Sequence, residues 1–374
     1  MNYWKSYIKL CSVADIGAIT AMRLIEKFGN PDEVFNADKA SLMQVEKVGE
    51  KIATSIIEAR NNPDFCKELF SRMETIGVKY TPYVSLDYPQ ALAKITGKPI
   101  GIYSIGNIDF NAQPCIAIVG SRLCTAYGQI TARKFASAFA RAGFTVVSGM
   151  ARGIDSFAHI GAMEAGGKTI AVLGCGADVI YPPENQNLYE QIKKSGAIVS
   201  EFKLGTRADK QTFPIRNRIV AGMCVATLVV ESDIRGGSMI TARLAGEFGR
   251  DVFAIPGQID RRSSRGCHAL IRDGATLVST PEEVIDELKS SVQLDFSFEE
   301  NTAQKASKAL ENKKPNIELS ADEATIIKCL KNGITHVDEI AEGASMPINK
   351  CVATLTMLEL KHLIKKTSSG SYTI

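Results

Sequence analysis

Residues 116–155 constrain the fold more than any other stretch of the chain. They read Ile-Ala-Ile-Val-Gly-Ser-Arg, a helical segment, then Thr-Val-Val-Ser-Gly-Met-Ala-Arg-Gly-Ile-Asp. Each half is a short apolar run that stops at a glycine and enters a loop carrying an arginine. Runs of this kind suit strands buried on both faces, and the intervening segment is long enough for the helical crossover that parallel strands need. Side by side, the two units put Arg122 and Arg152 on one sheet edge. That edge, outside the carboxyl ends of the strands, is where open α/β sheets bind ligands.

Similar runs recur at 169–174, 197–202, 226–231, 252–256 and 276–278, with helical segments between them such as 129–141, where Phe135, Ala138 and Phe139 share a face. The alternation predicts an α/β fold: an extended, Rossmann-like, doubly wound and mostly parallel sheet. Segments 78–84 and 99–106 are expected to add strands at one edge. A helix after Pro281 closes this domain, set at 76–290.

At 374 residues the chain is too long for one ordinary domain. Residues 1–75 read as helical. The Val48-Gly49-Glu50-Lys51 turn, with a similar shape near Ile16-Gly17, resembles the helix-hairpin-helix module, whose glycine turn aims backbone N–H groups at a phosphate. Glu46 and Glu50 beside the turn would repel a phosphate, so a plain helical bundle fits equally. Residues 291–317 are poor in apolar groups and read as a linker. Within 318–374, helices at 322–330, 337–341 and 347–360 and a terminal hairpin with a Ser-Gly turn predict a winged helix, a fold that often carries a recognition helix. Its lysines are balanced by acids, so a protein contact fits as well as DNA binding.

Net charge is only +3, so a nucleic-acid reading must rest on local clusters. Nine scattered cysteines without a Cys-x-x-Cys pair argue against a disulfide framework and a zinc site, and for a reducing compartment. No signal-peptide pattern or 18-residue apolar run occurs. A cytoplasmic protein with no membrane insertion is expected.

The loops after the strands carry the chemistry. The longest holds Lys203, Arg207, Lys210, Arg216 and Arg218 against a single acid, Asp209, with Phe213 among them. Cations that track phosphates and a ring that stacks on a base are what a nucleic-acid single strand requires. A second basic loop holds Arg261, Arg262 and Arg265. The turn Gly236-Gly237-Ser238 ahead of a helix can bind phosphate through backbone N–H groups, and Gly149 lets the backbone come close. Arg216 and Arg218 are expected to open a helix, where the dipole disfavours cations, which points to binding rather than framework. Asp155 is expected to cap the helix that follows it. His159 reads as packed or surface-lying. Glu231 is either a ribose ligand or a structural acceptor, and Phe213 either a stacking ring or a loop anchor. The dinucleotide fingerprint, the P-loop and the nucleophile elbow are absent, as is any His/Cys cluster. No cofactor, metal or catalytic residue is expected.

Taken together, Gly120-Ser121-Arg122, Ser148-Gly149-x-Ala151-x-Gly153-Ile154-Asp155 with Ala158-His159, Phe213-Pro214-x-Arg216-Asn217-Arg218, Gly237-Ser238 and Phe253-Ala254-Ile255-Pro256-Gly257 resemble the DprA/Smf family. Leu270-Ile271 with Gly274-Ala275 extends the match. The resemblance implies a non-enzymatic protein of natural transformation and recombination. Such a protein binds and protects incoming single-stranded DNA, loads RecA on it, and forms a homodimer through the Rossmann-like domain near the segment from Cys267 to Leu277. It implies DNA contacts at Arg122, Lys210, Phe213, Arg216 and Arg218. With Asn217, Gly149, Arg152, Gly236, Gly237 and Ser238 these make up the expected site. Pro183 stands where relatives can carry a basic residue. The alternative is a nucleotide-phosphate-processing enzyme similar to the phosphoribohydrolases. Those carry Pro-Gly-Gly-x-Gly-Thr and a catalytic glutamate where this chain has Arg235-Gly236-Gly237-Ser238-Met239-Ile240-Thr241 and, further on, Glu247.

Overall fold

The computed structural model describes residues 3–291, 320–331, 334–360, 364–366 and 372–373. They fall into two compact units, Met1–Gln293 and Leu294–Ile374. The first is built on a nine-stranded sheet of β1 (Lys79–Pro82), β2 (Gly101–Gly106), β3 (Cys115–Val119), β4 (Thr145–Ser148), β5 (Thr169–Leu173), β6 (Ala197–Ser200), β7 (Ala226–Val229), β8 (Asp251–Ala254) and β9 (Thr276–Leu277). Their order is β1-β2-β6-β5-β4-β3-β7-β8-β9. From β6 to β9 every pairing is parallel. The two expected edge strands, β1 and β2, pair antiparallel with each other, and β2 pairs antiparallel with β6.

The order follows from burial. Every residue of β3 to β7 is buried, so helices must cover both faces of the sheet. The helix Ala126–Arg141 turns Thr131, Ala132, Phe135, Ala136 and Phe139 inward at helical spacing. The chain winds outward from β3 through β6, then returns to lay β7 on the other side of β3. The switch point therefore lies between β3 and β7.

That crevice is tied shut at its base. Glu231, just past β7, is buried; its carboxylate accepts from the Thr125 backbone N–H at 2.9 Å and from the Thr125 hydroxyl. The same hydroxyl oxygen accepts from Gly128 N at 3.2 Å and caps the helix that follows. Of its two readings, Glu231 is thus the structural acceptor. Ser121 N also donates to the Glu231 carbonyl at 2.7 Å, fixing the loop after β3.

The N-terminal helices Trp4–Ser12, Ala18–Phe28, Pro31–Asn36, Lys39–Met43, Glu50–Asn61 and Lys67–Ile76 precede β1. Gly17 and Gly49 begin the helices that follow the two hairpin turns. Each acid beside the second turn has a cation: Glu46 pairs with Arg23 and Glu50 with Lys39. These helices share one continuous apolar core with the sheet, in which Leu10, Leu24, Leu42 and Ile56 join Tyr80, Tyr103, Leu173 and Ile198.

In the second unit, helices Ala321–Lys331, Val337–Gly343 and Ile348–Leu360 precede β10 (Lys365–Lys366) and β11 (Tyr372–Thr373), an antiparallel pair. Ile326, Ile340, Cys351, Leu355, Leu358 and Tyr372 form its core. This is the expected winged helix. Residues 292–317 of the expected linker and the Ser-Gly turn of the hairpin lie outside the described residues.

The shared core makes a direct prediction. Leu10→Ala should destabilise by about 2–5 kcal/mol, the usual range for a fully buried leucine. Urea unfolding should still show one transition for helices and sheet. A separate early loss of helical signal, with the sheet unaffected, would show two independent cores instead.

Candidate nucleic-acid interface

A groove of about 590 Å³ opens at the carboxyl edge of the sheet, at the switch point between the loops after β3 and β7. Arg122, Lys210, Phe213, Asn217, Gly236 and Ser238 are among its lining residues.

Phe213 lines it from the first turn of the helix Thr212–Gly222. The Thr212 hydroxyl donates to the Gly174 carbonyl, anchoring that turn to the loop after β5. Gly174 is required beneath it, because a Cβ there would come within 2.9 Å of the Phe213 ring. The ring is half-buried. The exposed Arg122 guanidinium stands 5.0 Å from its centroid, and the Tyr181 ring lies 5.7 Å away, tilted by 39°. A cation within 6 Å of a ring face is attracted by its quadrupole, so Arg122 and Phe213 form one composite surface. Phe213 is therefore both an anchor and partly available, where the sequence offered a choice between the two.

Arg216 does not stand in the groove as a free cation. It is 4% exposed, and Nη1 donates to the Val172 carbonyl at 2.6 Å. The helix begins at Thr212, so Arg216 and Arg218 lie in its second turn rather than opening it, and the dipole argument does not apply to them. Gly149 serves Arg216 as well: a Cβ at 149 would fall 1.6 Å from Nη1. Its missing side chain makes space for a guanidinium from the protein itself. Burial pulls the Arg216 pKa down, opposed by the nearby Asp155 carboxylate and reinforced by the Arg122 charge.

Asp155 also departs from expectation. The helix Ile154–Glu164 is capped by Gly153, and Asp155 is its second residue. Its Oδ2 instead reaches back to accept from Gly149 N at 3.1 Å and Ala151 N at 3.3 Å. It fastens the loop after β4 rather than the helix end. Burial raises its pKa, and Arg216 works in the opposite direction.

Arg218 is turned away from the groove. It forms a largely buried ion pair with Glu201, the two side chains being 16% and 14% exposed. Asn217 stays at the groove, its Nδ2 donating to the Gly237 carbonyl at 3.3 Å and joining the basic helix to the glycine turn. Gly236 must lack a side chain because Ser232 Oγ would lie 2.4 Å from its Cβ, whereas Gly237 faces open space. No side chain caps the helix Gly237–Glu247 that starts there. Ser238 turns inward, donating to Ser232 Oγ at 2.8 Å. Lys210 is exposed at the rim. Arg152 is exposed, lines a narrow cleft together with Arg122 and Phe213, and is ion-paired with Glu184. Lys203 and Arg207 are exposed but do not line the groove. Arg262 of the second basic loop is bound to Asp233 at 2.6 Å. Glu247 ends its helix beside Arg243 and is not a groove residue. Among the described residues no cluster of three or more His, Cys, Asp or Glu could hold a metal.

Two residues were not selected as site residues from the sequence. Nothing in the local sequence marks Tyr181 as the ring beside Phe213. Asp178 pairs with Arg72 and accepts from Gly205 N at 2.8 Å, holding the start of the long basic loop. Neither contact follows from spacing, because each joins segments far apart in the chain.

His159 is packed within the same buried layer. The Thr169 hydroxyl donates to the Val146 carbonyl at 2.8 Å, so the 2.7 Å contact with His159 requires Nδ1 to carry the proton. Nε2 is buried without a partner. Burial, with Arg216 adding to it, pushes the imidazole pKa from 6.5 down to about 3. The unfolded chain takes up this proton below its ordinary pKa while the folded chain does not. Stability tied to His159 is therefore complete above pH 6.5 and lost as pH falls toward 3. The slope should be about 1.4 kcal/mol per pH unit. Urea titrations at about pH 7 and about pH 4.5 should show His159→Leu losing less stability than the wild type; equal losses would remove His159 as the cause. Gly149→Ala should cost at least about 1–3 kcal/mol through overpacking against Arg216, read as a lower thermal midpoint.

Comparison with known proteins completes the assignment. Residues 79–289 match the family model for DNA recombination-mediator protein A, residues 7–62 that for a SAM-like helix-hairpin-helix tandem, and residues 311–370 that for a DprA winged helix domain. Protein Smf of Synechocystis is 36% identical over 302 residues, covering 80% of this chain and 75% of that protein. DNA processing protein DprA of Streptococcus pneumoniae is 42% identical over 213 residues, covering 56% of this chain and 75% of that protein. The crystal structure of the Streptococcus pneumoniae DprA superposes with a TM-score of 0.66 at 33% identity, covering 77% of this chain and 98% of that one. A Helicobacter pylori DprA structure, described as giving insight into a single-stranded DNA binding mode, superposes with a TM-score of 0.52 at 28% identity, covering 57% of this chain and 97% of that one. With the family model spanning more than half of its length, the chain belongs to the DprA/Smf family of DNA recombination-mediator proteins.

Proposed function

We propose that this protein binds single-stranded DNA in the switch-point groove and acts there as a recombination mediator without turning the DNA over. The observation that carries the reading is the composite of Arg122 and Phe213 in the groove lining, with the exposed Lys210 beside it and a helix end without a side-chain cap at Gly236. A cation stacked on a half-exposed ring meets both the phosphate and the base of one nucleotide, whatever the base is. The free helix end adds backbone N–H groups for a second phosphate. Arg216, Gly149 and Asp155 act beneath this surface as its frame. The DNA-binding mode described for the Helicobacter pylori relative supports the same reading.

The groove favours binding over turnover. Its buried acid, Asp155, is committed to two backbone N–H groups, and Glu231 at the base is committed to Thr125.

Protection of incoming DNA and loading of RecA follow from family resemblance as parts of this proposal. A homodimer near residues 267–277 belongs to it as well. A recess of about 670 Å³ lined by Met239, Leu270, Ala275 and Thr276 supports it, as does Leu277 at 48% exposed, whereas Cys267 is buried behind that surface. Two linked grooves raise avidity without new contacts. The nine free cysteines favour a reducing, cytoplasmic setting, and among the described residues no helix is long and apolar enough to cross a membrane.

Fluorescence anisotropy with a labelled oligo-dT tests the proposal. Affinity should fall steadily as salt rises, as counterion release requires. Phe213→Ala should weaken binding by about 1–3 kcal/mol, the usual loss for a stacked base. The pair Arg218→Met with Glu201→Leu, which removes both charges of the buried ion pair together, should bind within about twofold of wild type because Arg218 faces away from the groove. Salt-independent binding, or no binding by the wild type, would refute the proposal.

A further inference from the structure

Resting on the groove as the DNA site, we infer that the path of the strand continues past Phe213 onto a second subsite made by Tyr181 and Arg152, where Glu184 holds the place of a phosphate. Tyr181 is 40% exposed in the loop after β5 although its ring touches that of Phe213. At 5.7 Å between centroids Tyr181 and Phe213 are in direct contact. A base therefore stacks on the outer face of Tyr181 rather than entering between the two rings. Tyr181 lines the main groove with Arg122 and Lys210, and also lines the narrow cleft beside it with Arg152, Gly149 and Pro182. Arg122 and Phe213 line both as well, whereas Arg152 lines only the cleft.

Arg152 supplies a second charge in the cleft, beside Arg122. Its ion pair with Glu184 is open to solvent, with side chains 57% and 59% exposed. Exposed pairs of this kind contribute little to stability and are readily exchanged. A backbone phosphate offers a guanidinium two charged oxygens for bidentate hydrogen bonding, as a carboxylate does. An incoming strand can thus displace Glu184 from Arg152, one anion replacing another, with no rearrangement of the core. Arg122, Phe213, Tyr181 and Arg152 all line that cleft, so a strand crossing it meets two rings and two cations. Glu184 consequently acts as a competitor that keeps the subsite closed to weakly held ligands.

The test compares wild type, Tyr181→Ala, Tyr181→Phe and Glu184→Gln in the full chain by anisotropy on labelled oligo-dT at low salt, with circular dichroism melting as the fold check. Tyr181→Ala should weaken binding by about 5- to 150-fold, as loss of one stacked base does. Tyr181→Phe should bind like the wild type, because the ring and not the hydroxyl carries the contact. Glu184→Gln should bind up to about fivefold more tightly, since an exposed pair opposes displacement by no more than about that factor. That gain should vanish when Arg152→Ala is added. A merely structural role for Glu184 would produce weaker binding or none of this dependence on Arg152. Wild-type affinity for Tyr181→Ala, or no gain from Glu184→Gln, overturns the subsite while leaving the groove intact. Failure of the wild type to bind at all overturns the groove itself.

Discussion

A buried guanidinium under a glycine organises the carboxyl edge of this sheet. Arg216 reaches from the helix Thr212–Gly222 into the space left by the missing side chain of Gly149 and donates to the Val172 carbonyl. Burying a cation costs far more than burying an apolar group unless charge and hydrogen bonds offset it. Here the carbonyl and the Asp155 carboxylate do so, and Asp155 in turn holds two amides of the loop after β4. Three segments distant in sequence are locked by one charge. Gly149 cannot be enlarged, Arg216 cannot be shortened and Asp155 cannot be neutralised without releasing the others.

What that lock presents to solvent is the surface proposed to bind DNA. Helix Thr212–Gly222 is held so that Phe213 lies over Gly174 with its ring half-exposed. The loop after β3, fixed by Ser121 to Glu231, brings Arg122 over the ring. A Rossmann-like sheet ordinarily uses its switch point for a nucleotide held by a glycine-rich turn. In this chain the turn at Gly236–Ser238 remains, but the crevice carries a stacked cation and aromatic and opens along the edge. That is a surface suited to a polymer rather than to a closed mononucleotide pocket.

The architecture was legible in the sequence because it rests on local signals. Continuous apolar runs, the first three ending in glycine, marked β3 to β8 to within a residue or two, since strands buried on both faces leave no alternation to misread. Arg122, Lys210, Phe213, Asn217 and the Gly236–Ser238 turn reach one groove, as expected from loops on one edge. The failures are equally physical. Arg216 and Arg218 read as ligand-facing cations because sequence shows charge but not direction; Arg216 points beneath Gly149 and Arg218 toward Glu201. Asp155 was assigned to its own helix because capping is a local rule, whereas its partners are loop amides ahead of it. Tyr181 was missed because its partner, Phe213, lies in a different loop and only the sheet order brings the two together.

The central claim is that Arg122 and Phe213 act on DNA as one surface rather than as two separate contacts. A double-mutant cycle measures this directly: oligo-dT affinity of wild type, Arg122→Ala, Phe213→Ala and the double variant, at one salt concentration. Residues in contact commonly couple by about 0.5–3 kcal/mol. The account predicts a coupling in that range, with the double variant losing less than the sum of the single losses. Strict additivity, or single variants that bind like the wild type, would contradict it.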